Sequence, residues 1–170
     1  MYSTDALTQT GPREIPESVA GGAPAGGDER LIIESRFGPL AISPNGKLRF
    51  PSGLLGFAEF SDYALAELGD ERFPQFNVLQ SLDDHQLAFL VMPLDTQAGF
   101  IERADLDAAC QTLAIAFDDL LIMLVVTARK THEGPRVTAN LRAPLMIDSA
   151  SRIGMQYVLH NERYPGRFQL

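Results

Sequence analysis

Four absences narrow the reading of this 170-residue chain. It has a single cysteine, Cys110, so no internal disulfide can form and a reducing, cytoplasmic setting is the expectation. It has no tryptophan, and its few aromatics are not interleaved with bases. It has no apolar stretch approaching the roughly 18 residues of a membrane-spanning helix; the longest run, Leu120–Val126, stops against Asp118 and Asp119. Met1–Asp5 offers neither a basic nor an apolar stretch, so no secretory signal is expected. Bases are also scarce. The formal net charge of −8 argues against direct binding of nucleic acid, which needs a basic footprint, and permits a basic protein partner.

Catalytic and metal patterns are missing as well. The three histidines, His85, His132 and His160, lack a second ligand at a recognised spacing. Asp83-Asp84-His85 reads as turn chemistry, and Cys110 lies on an apolar helix face as a buried, inert thiol. No nucleophile elbow, phosphate loop or dinucleotide fingerprint occurs. No cofactor and no enzymatic activity are expected.

Residues 1–30 hold five glycines and three prolines. Residues 1–29 therefore read as a disordered extension, with one domain over 30–170. That domain shows many short strand signals: 31–33, 40–42, 47–50, 76–81, 86–92, 120–128, 137–141, 145–147 and 155–159. Residues 63–68 fit either strand or helix. The runs 76–81 and 86–92 are close enough to form a hairpin, hence antiparallel pairing. Leu106, Ala109, Cys110, Leu113 and Phe117 fall on one helical face, with Asp105 as its expected N-cap. The fold class is mostly β: a small antiparallel β-barrel-like domain with one or two short helices.

Charge is uneven. Residues 59–119 contain thirteen acids and two bases, whereas 120–170 contain three acids and seven bases. An acidic segment of this size must present much of its charge to solvent, where it attracts a basic partner.

Three segments together resemble one bacterial family. They are Lys47-Leu-Arg-Phe-Pro-Ser-Gly-Leu-Leu-Gly-Phe57, Leu79-Gln-Ser-Leu-Asp-Asp-His-Gln-Leu-Ala-Phe89 and Val137-Thr-Ala-Asn-Leu-Arg-Ala-Pro-Leu-Met-Ile147. Tyr157-Val-Leu159 and Tyr164-Pro165 follow in order. The pattern is similar to the flagellar assembly factor FliW family over about residues 31–168. Leu55 stands where that family usually has proline, and Gly166 and Phe168 also depart from it. The resemblance implies a barrel-like fold, no catalysis and two exclusive partners. One is flagellin. The other is CsrA, a small basic RNA-binding regulator that represses flagellin translation until it is captured.

From the residues themselves, Phe50, Pro51, Gly53, Gly56, Phe57 and Pro144 read as structural. Leu79, Gln80, Ser81, Asp83, Asp84 and Asn140 are the candidate partner-binding residues. Two readings stand for each pair beside the turn: Gln80 and Ser81 as exposed recognition groups or as local structure, and Asp83 and Asp84 as turn residues or as an acidic contact. Two other readings stand beside this one: a small-ligand β-barrel, and an adaptor whose specificity lies in residues 1–30.

Overall fold

The structure, a computed structural model, describes residues 30–170; the extension read over 1–29 lies outside the described residues. The chain forms β1 (Leu31–Ile33), β2 (Leu40–Ile42), a 3-10 turn (Pro44–Gly46), β3 (Lys47–Arg49), β4 (Asp62–Glu67), β5 (Asn77–Ser81) and β6 (Ala88–Pro93). Next come helix α1 (Arg103–Leu113), a second 3-10 turn (Phe117–Asp119), β7 (Leu120–Thr131) and β8 (Gly134–Ala139). The chain closes with β9 (Leu145–Asp148), β10 (Ile153–Gln156) and β11 (Phe168–Gln169).

Seven strands close a barrel in the order β7-β6-β5-β4-β3-β10-β9, with β9 returning to β7. All its pairings are antiparallel except β3 with β10, which run parallel at Arg49↔Ile153. That junction departs from the purely antiparallel expectation. It joins strands about a hundred residues apart, for which local sequence carries no signal.

Both faces of the β4–β7 wall are buried, which explains the uninterrupted apolar runs of β6 and β7. Inward-facing Leu48, Tyr63, Leu79, Val91, Met123, Leu145 and Ile147 fill the barrel together with Phe50. Outward-facing Ala64, Ala66, Val78 and Ala88 are covered by Leu40 and Ile42 of the β1–β2 hairpin. Ile122, Leu124 and Val126 face outward under α1 and the C-terminal segment, against Leu106, Leu159 and Tyr164. Gly154 faces inward, against the Phe50 ring. A Cβ there would lie 2.6 Å from the Phe50 ring.

The ambiguous stretch 63–68 is strand, because Tyr63, Ala64 and Ala66 are buried between the interior and the hairpin. The helix starts earlier than its apolar periodicity indicates, and Asp105 is not its N-cap. Glu102 holds that position without a side-chain cap bond. Asp105 sits in the first turn, where its carboxylate accepts from the Tyr164 hydroxyl at 2.5 Å and from the Asn161 amide at 3.2 Å. The Tyr164 oxygen in turn accepts from the Glu102 amide at 3.0 Å. A C-terminal tyrosine thus satisfies one of the free amides at the helix start. The helix stops at Ala114, which is left-handed (φ 55°), so Phe117 belongs to the following 3-10 turn. Cys110 is buried beside Ala109 and Met146, and burial, then the charge of Asp107, pushes its thiol pKa upward.

Candidate functional site

One end of the barrel gathers most of the residues that the sequence singles out. The register places the start of β4 against the end of β5, with Tyr63 opposite Ser81. The loop 50–61 and the turn 82–87 therefore emerge side by side. Asp83 joins them: its carboxylate accepts from the Ser61 and Asp62 amides at 3.3 and 3.4 Å. The Leu82 amide donates to the Asp62 carbonyl at 2.8 Å.

The turn itself is built by Gln80 and Ser81. Gln80 is 0% exposed and Ser81 2% exposed, so of the two readings the structure rules out an exposed recognition group for either. The Gln80 amide donates to the carbonyls of Ser81, Asp84 and Leu87 at 3.0, 3.1 and 3.0 Å. The Ser81 hydroxyl oxygen accepts from the Asp83 and Asp84 amides at 3.2 and 3.1 Å. The physical reason for their burial is the six-residue turn, whose backbone groups need partners inside the protein. Leu79 points into the barrel and is fully buried. Asp84 is half-buried, and its carboxylate accepts from the Gln86 amide at 2.8 Å.

What remains open to solvent is a rim of Glu59, Asp62, Asp83, Leu82 and His85. Leu82 is 37% exposed, an apolar group beside carboxylates. An open depression of about 290 Å³ lies next to it, lined by Ile33, Glu34, Ser81, Leu82 and His85. The electrostatics of the rim register on buried Tyr63, whose phenol is pushed up to about 12 by burial first, then by the negative charges of Asp83 and Glu59. Glu59 and Asp62 are acids of this rim that the turn motif alone does not nominate; the charge count over 59–119 is the signal that contains them.

The acidic segment does not form one patch. Asp70 and Glu71 lie in the β4–β5 connection, and Asp118 and Asp119 precede β7, all at the opposite end of the barrel. Asn140 is away from the turn; its side-chain oxygen accepts from the Ala143 amide at 3.0 Å, shaping the bend into buried Pro144.

The loop 50–61 is packed rather than open. Phe50 is fully buried, in edge contact with Tyr63 at 5.6 Å between ring centres. Phe57 meets Phe89 in the same manner at 5.3 Å. Gly53 and Gly56 both have positive φ, at 63° and 85°. Pro51 is exposed at the first bend. Leu55, in the position that departs from the resembling family, is 58% exposed, and its amide donates to the Gln156 side chain at 2.9 Å.

The chemistry available here is that of a firm, acidic, partly apolar surface. The carboxylates of Asp83 and Asp84 are held on backbone amides, and the barrel interior behind them is occupied by packed side chains. None of the described helices is long and apolar enough to cross a membrane.

A model of the FliW protein family matches residues 31–170. Among curated relatives, the flagellar assembly factor FliW of Moorella thermoacetica is 34% identical over 142 residues, covering 82% of this chain and 87% of that protein. The flagellar assembly factor FliW of Oceanobacillus iheyensis is 31% identical over 137 residues, covering 79% and 90%. A crystal structure of the flagellar assembly factor FliW superposes with a TM-score of 0.64 at 26% identity, over 82% of this chain and 96% of that one. With the closed barrel and the three sequence segments in place, these matches establish that the chain belongs to the FliW family.

Proposed function

We propose that this chain is a flagellar assembly factor that works by binding proteins and not by catalysing a reaction. Its partners are a CsrA-type RNA-binding regulator and flagellin, held alternately. While flagellin occupies the protein, the regulator is free to repress flagellin translation. When cytoplasmic flagellin is exported, the vacated protein captures the regulator and translation resumes.

The observation that supports this reading is the acidic rim of Glu59, Asp62 and Asp83 at the barrel end beside the exposed Leu82, with the Asp83 carboxylate fixed on the Ser61 and Asp62 amides. Opposite charge steers a basic partner into encounter, and a desolvated apolar group then slows its release. Rigidity contributes too, because a turn already fastened by Gln80, Ser81 and Asp83 loses little freedom on binding.

The test is a competition. The full chain is mixed with a purified CsrA-type regulator, and flagellin is then titrated in while the complex is followed by size-exclusion chromatography with light scattering. The expected result is a binary complex that flagellin dissolves. Absence of a complex with either protein at micromolar concentration and low salt overturns the proposal. A stable ternary complex overturns the alternation.

A further inference from the structure

β7 outruns the barrel. Its last pair with β6 is Leu90↔Val126, after which Thr127–Thr131 continue with β8; β11 flanks β8 at Ala139 and Thr138, and beyond that, among the described residues, only β7 and β8 are paired as a two-stranded ribbon. Within that ribbon Arg129 lies directly opposite Arg136, so both side chains leave from the same face. Thr127 and Thr138, also opposite each other, continue that face toward the barrel. Lys130, opposite Pro135, lies on the other face.

Arg129, Lys130 and Arg136 are exposed. None forms an ion pair or a side-chain hydrogen bond with another described residue. Glu133 at the ribbon tip is the single acid between Leu120 and Ile147. Like charges set opposite each other on an antiparallel ladder oppose strand pairing. A projecting edge is kept soluble by charge of either sign, so solubility alone does not call for two facing arginines.

We propose that the Arg129–Arg136 face of the ribbon binds an acidic peptide segment of a protein partner. Two neighbouring guanidiniums offer paired donors that match carboxylates, and their mutual repulsion is relieved when an acid lies between them. A peptide fits better than a nucleic acid for two reasons. The ribbon, residues 127–139, carries no Phe, Tyr or Trp on which a base could stack. The ribbon also leaves the barrel at the end that bears the 82–87 turn, where Glu59, Asp62 and Asp83 would repel a long polyanion. The same acids oppose an anionic membrane.

The experiment uses the full chain and fluorescence anisotropy of a labelled oligoglutamate peptide. A labelled single-stranded oligonucleotide and phosphatidylserine vesicles are measured in parallel. Wild type is expected to bind the peptide most tightly. Arg129→Gln combined with Arg136→Gln is expected to weaken that binding about tenfold, as loss of two exposed charge pairs implies. The unfolding midpoint of this double variant should stay unchanged or rise, since the repulsion is gone, and Lys47→Gln should bind as wild type does. The proposal is overturned if the double variant binds as tightly as wild type or if Lys47→Gln weakens binding equally. It is also overturned if the oligonucleotide or the vesicles bind more tightly than the peptide.

Discussion

Gly53→Ala is expected to destabilise the protein by about 3 kcal/mol or more, the sum of left-handed strain and a backbone clash. Gly53 has φ 63° and is buried in the 50–61 loop. A Cβ at this position would collide with the Phe57 carbonyl oxygen and lie 2.6 Å from the Ala58 Cα. These neighbours are backbone, so no rotamer change relieves the contact. The loop would have to open, and it holds Phe50 and Leu54, both of the barrel core. Gly56→Ala is the matched control. It has φ 85°, but a Cβ there meets nothing within 4 Å, so about 1–2 kcal/mol of backbone strain is all it adds. Urea unfolding of the two variants separates the terms. Equal losses at the two positions would show that the close approach at Gly53 is not what the glycine provides.

Gln80→Leu is expected to cost about 2–3 kcal/mol, although it puts an apolar side chain of similar size into a fully buried site. The loss comes from the two amide hydrogens, shared among three turn carbonyls, and is partly offset because the Oε1 that is removed is buried without a partner. Two of those carbonyls keep another partner: Asp84 accepts from the Leu87 amide and Leu87 from the Ser81 amide. The turn should therefore loosen rather than unfold. Amide exchange is expected to rise over residues 82–87 while β5 stays protected. A partner-binding defect should accompany it, because the rim depends on the turn for its shape. If Gln80→Leu is as stable as wild type with an unchanged exchange pattern, the network does not hold the turn.

Much of this architecture follows from side-chain pattern. The strands of the wall are legible from their apolar content, and α1 from Leu106, Ala109, Cys110 and Leu113. Side-chain pattern misplaces an element where non-local partners decide. Asp105 has the chemistry of an N-cap, yet Tyr164, fifty-nine residues away, draws it into the first turn. The β7 strand runs to Thr131 although its last residues are polar and exposed, because β8 pairs with them outside the barrel. The final core strand ends at Gln156 and not at Leu159. Beyond it, the Tyr157 and Leu159 amides donate to the Pro144 and Arg142 carbonyls, outside any ladder.

The site shows the same division. The importance of the 79–89 segment is visible in the sequence, but polarity misleads about which of its residues face solvent. Glutamine is usually exposed, yet Gln80 is fully buried. A local signal did exist: a glutamine in an otherwise apolar strand, one residue before a turn whose carbonyls it can reach. The acidic segment was legible as charge, whereas its division between the two ends of the barrel depends on strand direction, which a charge count does not contain.

Asp83 and Asp84 fasten the turn, so altering them would confound charge with structure. Glu59 and Asp62 are exposed and suit the decisive measurement. It is the association rate of the full chain with a purified CsrA-type regulator, followed by stopped flow across a salt series. The acidic-rim account predicts that Glu59→Lys combined with Asp62→Lys slows association about tenfold at low salt and flattens its salt dependence. An association rate and salt dependence identical to wild type would contradict it.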